Sequence, residues 1–155
     1  MHILNIAAYK FVALEQLSEL QSKLREALQT RAITGTVLLA EEGINLFLAA
    51  PDAAIHDFLA WLRQDPRLSD LPVKESWSHA PPFRKLLVKV KPEIIRMNHP
   101  AIQPAAGRAP AVDTATLKRW LDCGHDDTGR PVVTLDTRNA FEVDVGSFKN
   151  AIDWR

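Results

Sequence analysis

The chain has 155 residues, 46% of them hydrophobic and 25% charged, a composition that fits a folded globular protein and argues against disorder. Nineteen Lys and Arg balance nineteen Asp and Glu, so any attraction for a polyanion has to be local. Cys123 is the single cysteine, which excludes an internal disulfide and every multi-cysteine zinc pattern, and no run approaches the ~20 apolar residues of a membrane span.

The opening MHILNIAAYKF has no basic segment followed by a long apolar one, so a secretory signal is not expected and a reducing, cytoplasmic setting is. Residues 3–11 are β-branched, aromatic and short enough for a strand. Leu14, Leu17, Leu20, Leu24, Ala27 and Leu28 then recur at spacings of three and four, which predicts a helix with one apolar stripe, and Glu19 and Lys23 form an i,i+4 pair on its surface. Two apolar runs within residues 35–50 flank Glu41-Glu42-Gly43, which predicts a hairpin with Gly43 supplying a positive φ. Pro51 suits the first position of a helix and Asp52 its positive end, with Ile55, Phe58, Leu59 and Leu62 at helical spacing before Pro66 ends it.

Residues 71–77 and 83–90 read as further strands. Strand, helix, strand, strand, helix, strand is the split βαβ order, so residues 1–97 are expected to form an α+β, ferredoxin-like domain with both helices on one face of an antiparallel sheet. Residues 98–112 carry Pro100, Pro104 and Pro110 with alanines and a glycine and have no periodic apolar face, so they read as a linker. Beyond it, Asp113 suits the N-cap of a short helix with Leu117, Trp120 and Leu121. Residues 123–130 read as a loop, and residues 132–136 as a buried-type strand that opens a second domain over 113–155.

Chemistry-bearing side chains concentrate in residues 84–108, where Arg84, Lys85, Lys89, Lys91, Arg96 and Arg108 face one acid, Glu93. In a strand, period two puts Lys85, Lys89 and Lys91 on one face and Leu86, Val88 and Val90 on the other. Such a basic face suits nucleic-acid phosphates; a solvated face or a lysine-protected edge is the plainer alternative. The five histidines show no ligand spacing, and Cys123 is followed by acidic residues that disfavour a thiolate. Glu41, Glu42 and Asn45 cluster at the hairpin tip, where an exposed acidic turn is the ordinary reading and acid–base work the alternative. No Gly-x-Gly-x-x-Gly or Walker pattern signals a cofactor.

Two enzymatic or binding activities known on this type of sheet fit poorly. An acylphosphatase needs an arginine after the first strand and an asparagine at the end of the second, whereas this chain has Lys10 and Leu39 there. An RNA-recognition motif stacks bases on aromatics of its central strands, whereas residues 44–50 offer only Phe47.

Taken together, GTVLLAEEGINLFLAA with its Glu42-Gly43-Ile44-Asn45 motif, PFRKLLVKVKPEII and VVTLDTRNAFEVDVGSFKNAI resemble the bacterial rhodanese-like tRNA uridine hydroxylases, once grouped as sulfurtransferases. The resemblance covers nearly the whole chain; the glycine usual after that motif is Leu46 here. It implies an acylphosphatase-like domain followed by an α/β rhodanese domain, tRNA as partner and molecular oxygen as cosubstrate. It also implies hydroxylation of the wobble uridine. Asp136, Arg138 and Glu142 match the rhodanese Asp-x-Arg-x-x-x-Glu opening, a supporting role beside the active site. The family's reactive cysteine belongs to a downstream Cys-x-x-Gly-x-Arg loop that this sequence does not contain.

The expectation is therefore a chain truncated within the rhodanese part, without turnover of its own, whose final forty or so residues are too few for an independent core. A sulfurtransferase using the same downstream cysteine is the alternative enzyme. A non-catalytic binding module is the alternative if the protein naturally ends at Arg155. Oligomeric state is left open.

Overall fold

The computed structural model describes residues 2–95, 107 and 109–153, which divide into two compact units at Arg108/Ala109. Arg96, Arg108 and residues 98–106 of the linker reading lie outside the described residues.

The first unit is a five-stranded sheet covered on one face by two helices. Strand β1 (Ile3–Phe11) is followed by α1 (Leu17–Thr30), the hairpin β2 (Thr34–Ala40) and β3 (Gly43–Pro51), then α2 (Asp52–Leu62), β4 (Val73–Ser78) and β5 (Leu86–Val90). The strand order is β4-β1-β3-β2-β5. The first four strands run antiparallel in the ferredoxin-like order, but β5 adds to the free edge of β2 in parallel. The sheet is thus mixed, a correction to the antiparallel expectation that period and order alone did not foresee.

Alternation builds the core. Leu4, Ile6 and Ala8 of β1, Val37 and Leu39 of β2, and Ile44, Leu46 and Leu48 of β3 point at the helices, meeting Leu24, Ala27, Leu28, Ile55, Phe58, Leu59 and Leu62. Each fully buried side chain of this size contributes about 1.5–3 kcal/mol, so this one interface dominates the stability of the unit. Leu46, at the position where the resemblance has glycine, is fully buried there.

Several boundaries differ from the sequence reading. Leu14 is buried but precedes the helix, which starts after Gln16 in a left-handed conformation (φ 53°); a core contact had mimicked helical period. Pro51 ends β3 and is the N-cap of α2 rather than its first residue. Strand β5 begins at Leu86, and Val90 is 41% exposed rather than core, with only Val88 buried along the strand. The outer edge of β5 is covered by α1, since Gln21 Nε2 and Arg25 Nη2 donate to the Val88 carbonyl at 2.9 and 3.2 Å.

The second unit contains α3 (Thr114–Cys123), β6 (Leu135–Asp136), α4 (Ala140–Val145) and β7 (Ile152–Asp153). Asp113 caps α3, accepting from the Ala115 and Thr116 amides at 3.0 Å each. Cys123 is the last residue of this helix, not a loop residue, and Gly124 closes it in a left-handed conformation (φ 77°). The expected buried strand at 132–136 shrinks to two residues paired in parallel with β7, and Val133 and Leu135 are exposed. No described residue of this unit is buried, and no described helix is long and apolar enough to cross a membrane.

Candidate nucleic-acid interface

The helices occupy one face of the sheet; among the described residues no helix covers the other, the open face, where Tyr9 and Phe47 are exposed. Register defines that open face row by row. Ala7 pairs with Phe47, Phe47 with Thr36 and Thr36 with Leu87; the next row is Tyr9, Asn45, Leu38 and Lys89. At the opposite edge, Lys74 and Ser76 of β4 stand beside Ala7 and Asn5.

Lys89 therefore sits on the open face, as period two predicts. Backbone bonds extend the β2–β5 ladder at both ends, Gly35 N to Lys85 O at 3.1 Å and Lys91 N to Leu39 O at 2.7 Å. The ladder keeps Lys85 and Lys91 in phase with Lys89, and all three are exposed, as is Arg84. Among the described residues no ion pair holds these three lysines. They form a cationic row along one edge of a face whose opposite edge carries Lys74, an arrangement that can take phosphates.

The hairpin motif has a structural role. Val12 and Leu14 amides donate to the carbonyls of Glu42 and Glu41, both at 2.9 Å, and the Glu42 carboxylate accepts from the Ile94 amide at 2.7 Å. Gly43 lies so close to β1 that a Cβ there would stand 2.1 Å from the Lys10 carbonyl oxygen. Asn45 is not at the tip but inside β3 on the open face, between Tyr9 and Leu38. The hairpin tip is thus a lock between segments, and of the motif Asn45 stands on the open face.

The acylphosphatase positions are committed elsewhere. Lys10 Nζ donates to the Arg67 carbonyl at 2.6 Å and pairs with Asp70, tying β1 to the 3-10 turn at Pro66–Leu68, and Leu39 is fully buried. The Lys10 pairing holds the Asp70 carboxyl below the usual carboxylate range. Neither Lys10 nor Leu39 can cradle an acyl phosphate.

In the second unit the structure brings Asp136 and Arg138 together. The Arg138 guanidinium forks onto the Asp136 carboxylate at 2.9 and 2.7 Å and also donates to the Gly146 carbonyl at 2.6 Å. The hydrogen bond to Asp136 raises the Arg138 pKa above its ordinary value. Glu142 instead caps α4, accepting from the Asn139 backbone and side-chain amides at 3.1 and 2.8 Å. All three brace the 136–146 loop rather than present reactive groups. Cys123 is exposed, and among the described residues no group of three or more His, Cys, Asp or Glu could hold a metal ion.

Sequence reading missed Tyr9. It is 42% exposed beside Phe47, which is 49% exposed, on the two neighbouring central strands. The signal was present in the alternation of β1, where Leu4, Ile6 and Ala8 turn inward and Asn5, Ala7 and Tyr9 turn outward; Lys74 was missed in the same way on β4.

Residues 3–94 match the UPF0176 acylphosphatase-like domain. The chain is 65% identical over 153 residues to the tRNA uridine(34) hydroxylase of Variovorax paradoxus (strain S110) and 63% identical over 153 residues to that of Delftia acidovorans (strain DSM 14801 / SPH-1). Each alignment covers 99% of this chain and 58% of the relative, so the chain spans somewhat over half the length of these curated relatives. Among solved structures, BlrP1 BLUF is similar at a TM-score of 0.48 and 17% identity, covering 58% of this chain and 64% of that one.

Proposed function

The chain belongs to the UPF0176 acylphosphatase-like domain family, and from that premise we propose that it is the tRNA-positioning part of an oxygen-dependent tRNA uridine-34 hydroxylase that forms 5-hydroxyuridine. The observation that carries this reading is identity above 60% along essentially the whole chain to proteins named for that activity. Those names also favour hydroxylation over sulfur transfer. Molecular oxygen is the cosubstrate in this reading, and the cytoplasm, where tRNA is modified, is the site of action.

Within it, Lys85, Lys89 and Lys91 hold tRNA phosphates, with Arg84 beside them and Arg96 as a further contact outside the described residues. The lysine and Arg84 contacts are point charges on exposed side chains, so they give affinity and orientation but no base identity. Asp136, Arg138 and Glu142 keep the shape of the loop that adjoins the chemistry, and the reacting group belongs to the stretch of the relatives that this chain does not span. The test is nucleoside analysis by mass spectrometry of tRNA from a strain lacking the gene. Loss of the hydroxylated wobble uridine is expected. Loss of a thiolated base instead, or unchanged nucleosides, overturns the reading.

A further inference from the structure

We propose that the open face of the sheet is a base-stacking platform for single-stranded RNA, with Tyr9 and Phe47 as its rings and lysines along both edges as its phosphate contacts. The inference deepens the tRNA reading and rests on it: it specifies that unpaired nucleotides, rather than duplex, lie on this domain.

Register places the rings where stacking requires them. Ala7 pairs with Phe47 and Tyr9 with Asn45, so Tyr9 and Phe47 are diagonal neighbours on β1 and β3, the second and third of five strands. Diagonal side chains lie about 7–8 Å apart, which gives each ring its own base rather than one base shared between them. Phe11 meets Tyr9 edge-on, with ring centroids 6.0 Å apart and planes at 74°, and so fixes the orientation of the Tyr9 ring. A sheet that stacks bases on aromatics of its two central strands is a known solution to single-strand recognition, and stacking tolerates any base because every base has a π-face.

The surroundings select RNA over a protein partner. The outward positions of the five strands include Lys74 on one outer strand and Lys89 on the other, and no Asp or Glu. Lys85 and Lys91 extend the second edge, while of the two hairpin acids Glu42 is engaged with the Ile94 amide. A second copy of the same face would offer these lysines no carboxylate; a phosphate backbone crossing from β4 to β5 meets one cationic edge on each side of the rings. Asn45 and Thr36, in register with Tyr9 and Phe47, supply hydrogen-bonding groups at the level of the base edges.

The test is fluorescence anisotropy of the 155-residue chain with 5′-labelled octauridylate and with a blunt RNA duplex of eight base pairs, each across a salt series. Tyr9→Leu and Phe47→Leu keep apolar bulk but remove the π-face. Each is expected to weaken octauridylate binding about tenfold while leaving the salt slope and duplex binding unchanged. Phe47→Trp is expected to retain binding, which separates a lost ring from a damaged fold. The Lys85→Ala/Lys89→Ala/Lys91→Ala variant is expected to reduce the slope of log K against log salt by about 2.

Wild-type octauridylate affinity in both leucine variants overturns the platform. If the lysine variant still flattens the slope, phosphate positioning on the edge survives that result; if its affinity and slope are also unchanged, the positioning role fails with it. Leucine substitutions that alter self-association in sedimentation velocity but not RNA binding make this face a protein-docking surface, and that too overturns the proposal.

Discussion

At Gly43 one missing carbon atom joins local conformation to sheet assembly. Its φ of 153° is one that side-chain-bearing residues rarely adopt, and it is opposite Phe11 where the hairpin meets β1. Gly43→Ala puts a methyl 2.1 Å from a backbone carbonyl that cannot swing aside, unlike the end of a flexible side chain. The expected cost is at least the about 1–3 kcal/mol of a strained backbone, seen as a lower urea midpoint with unchanged m-value. Gly124, at φ 77° with nothing within 4 Å of the missing Cβ, offers the control: Gly124→Ala carries conformational strain without the clash and should cost less. Gly43 was legible from sequence because a Gly closing a short acidic turn between apolar runs has few other uses. The outward placement of Tyr9 was less legible, because an aromatic in a strand reads as core until the alternation of Leu4, Ile6 and Ala8 is followed to the end of the strand.

Elements were legible where one period ruled alone. Strand β1, the β2–β3 hairpin and the Asp113 cap sit where composition and spacing put them, because each is set by neighbours within a few residues. The parallel placement of β5 depends on which sheet edge remains free after β4 has taken the other, a decision made at long range. The Asp113 cap makes a local prediction in turn. Hydrogen bonds from Thr116 and Ala115 hold the Asp113 carboxyl below its ordinary value. A depressed folded-state pKa means the cap's contribution is complete above the unfolded value of about 3.9 and is lost as pH falls through the folded one. Amides at the start of α3 should therefore lose exchange protection on acidification below about pH 4 in the wild type. In Asp113→Asn, whose neutral amide caps at any pH, this loss should be absent. Equal acid sensitivity in the two proteins would show that the cap does not set the stability of this helix.

On the scale of the whole molecule, a neutral net charge conceals an uneven distribution, and an average hydrophobic content conceals two very different interiors. The first unit buries apolar side chains from four strands and both helices in one cluster, whereas no described residue of the second is buried. Sequence length anticipated this, since about forty residues expose too much of their surface to sustain a core. What length did not convey is that these residues still make ordered local structure, with the Asp136–Arg138 fork, the Asn139–Glu142 cap and the Ile152 amide on the Thr134 carbonyl at 2.8 Å. Polar bonds of this kind are exposed to water and each opens at little cost, so they shape a segment without making it cooperative. Native-state amide exchange should divide the chain accordingly. Amides of residues 36–49 should exchange only through global unfolding of the first unit, and those of β6, β7 and α4 through local openings orders of magnitude more frequent, with rates insensitive to low denaturant. Protection in the second unit equal to that of the β2–β3 hairpin would mean that its stability comes from contacts other than the local ones named here.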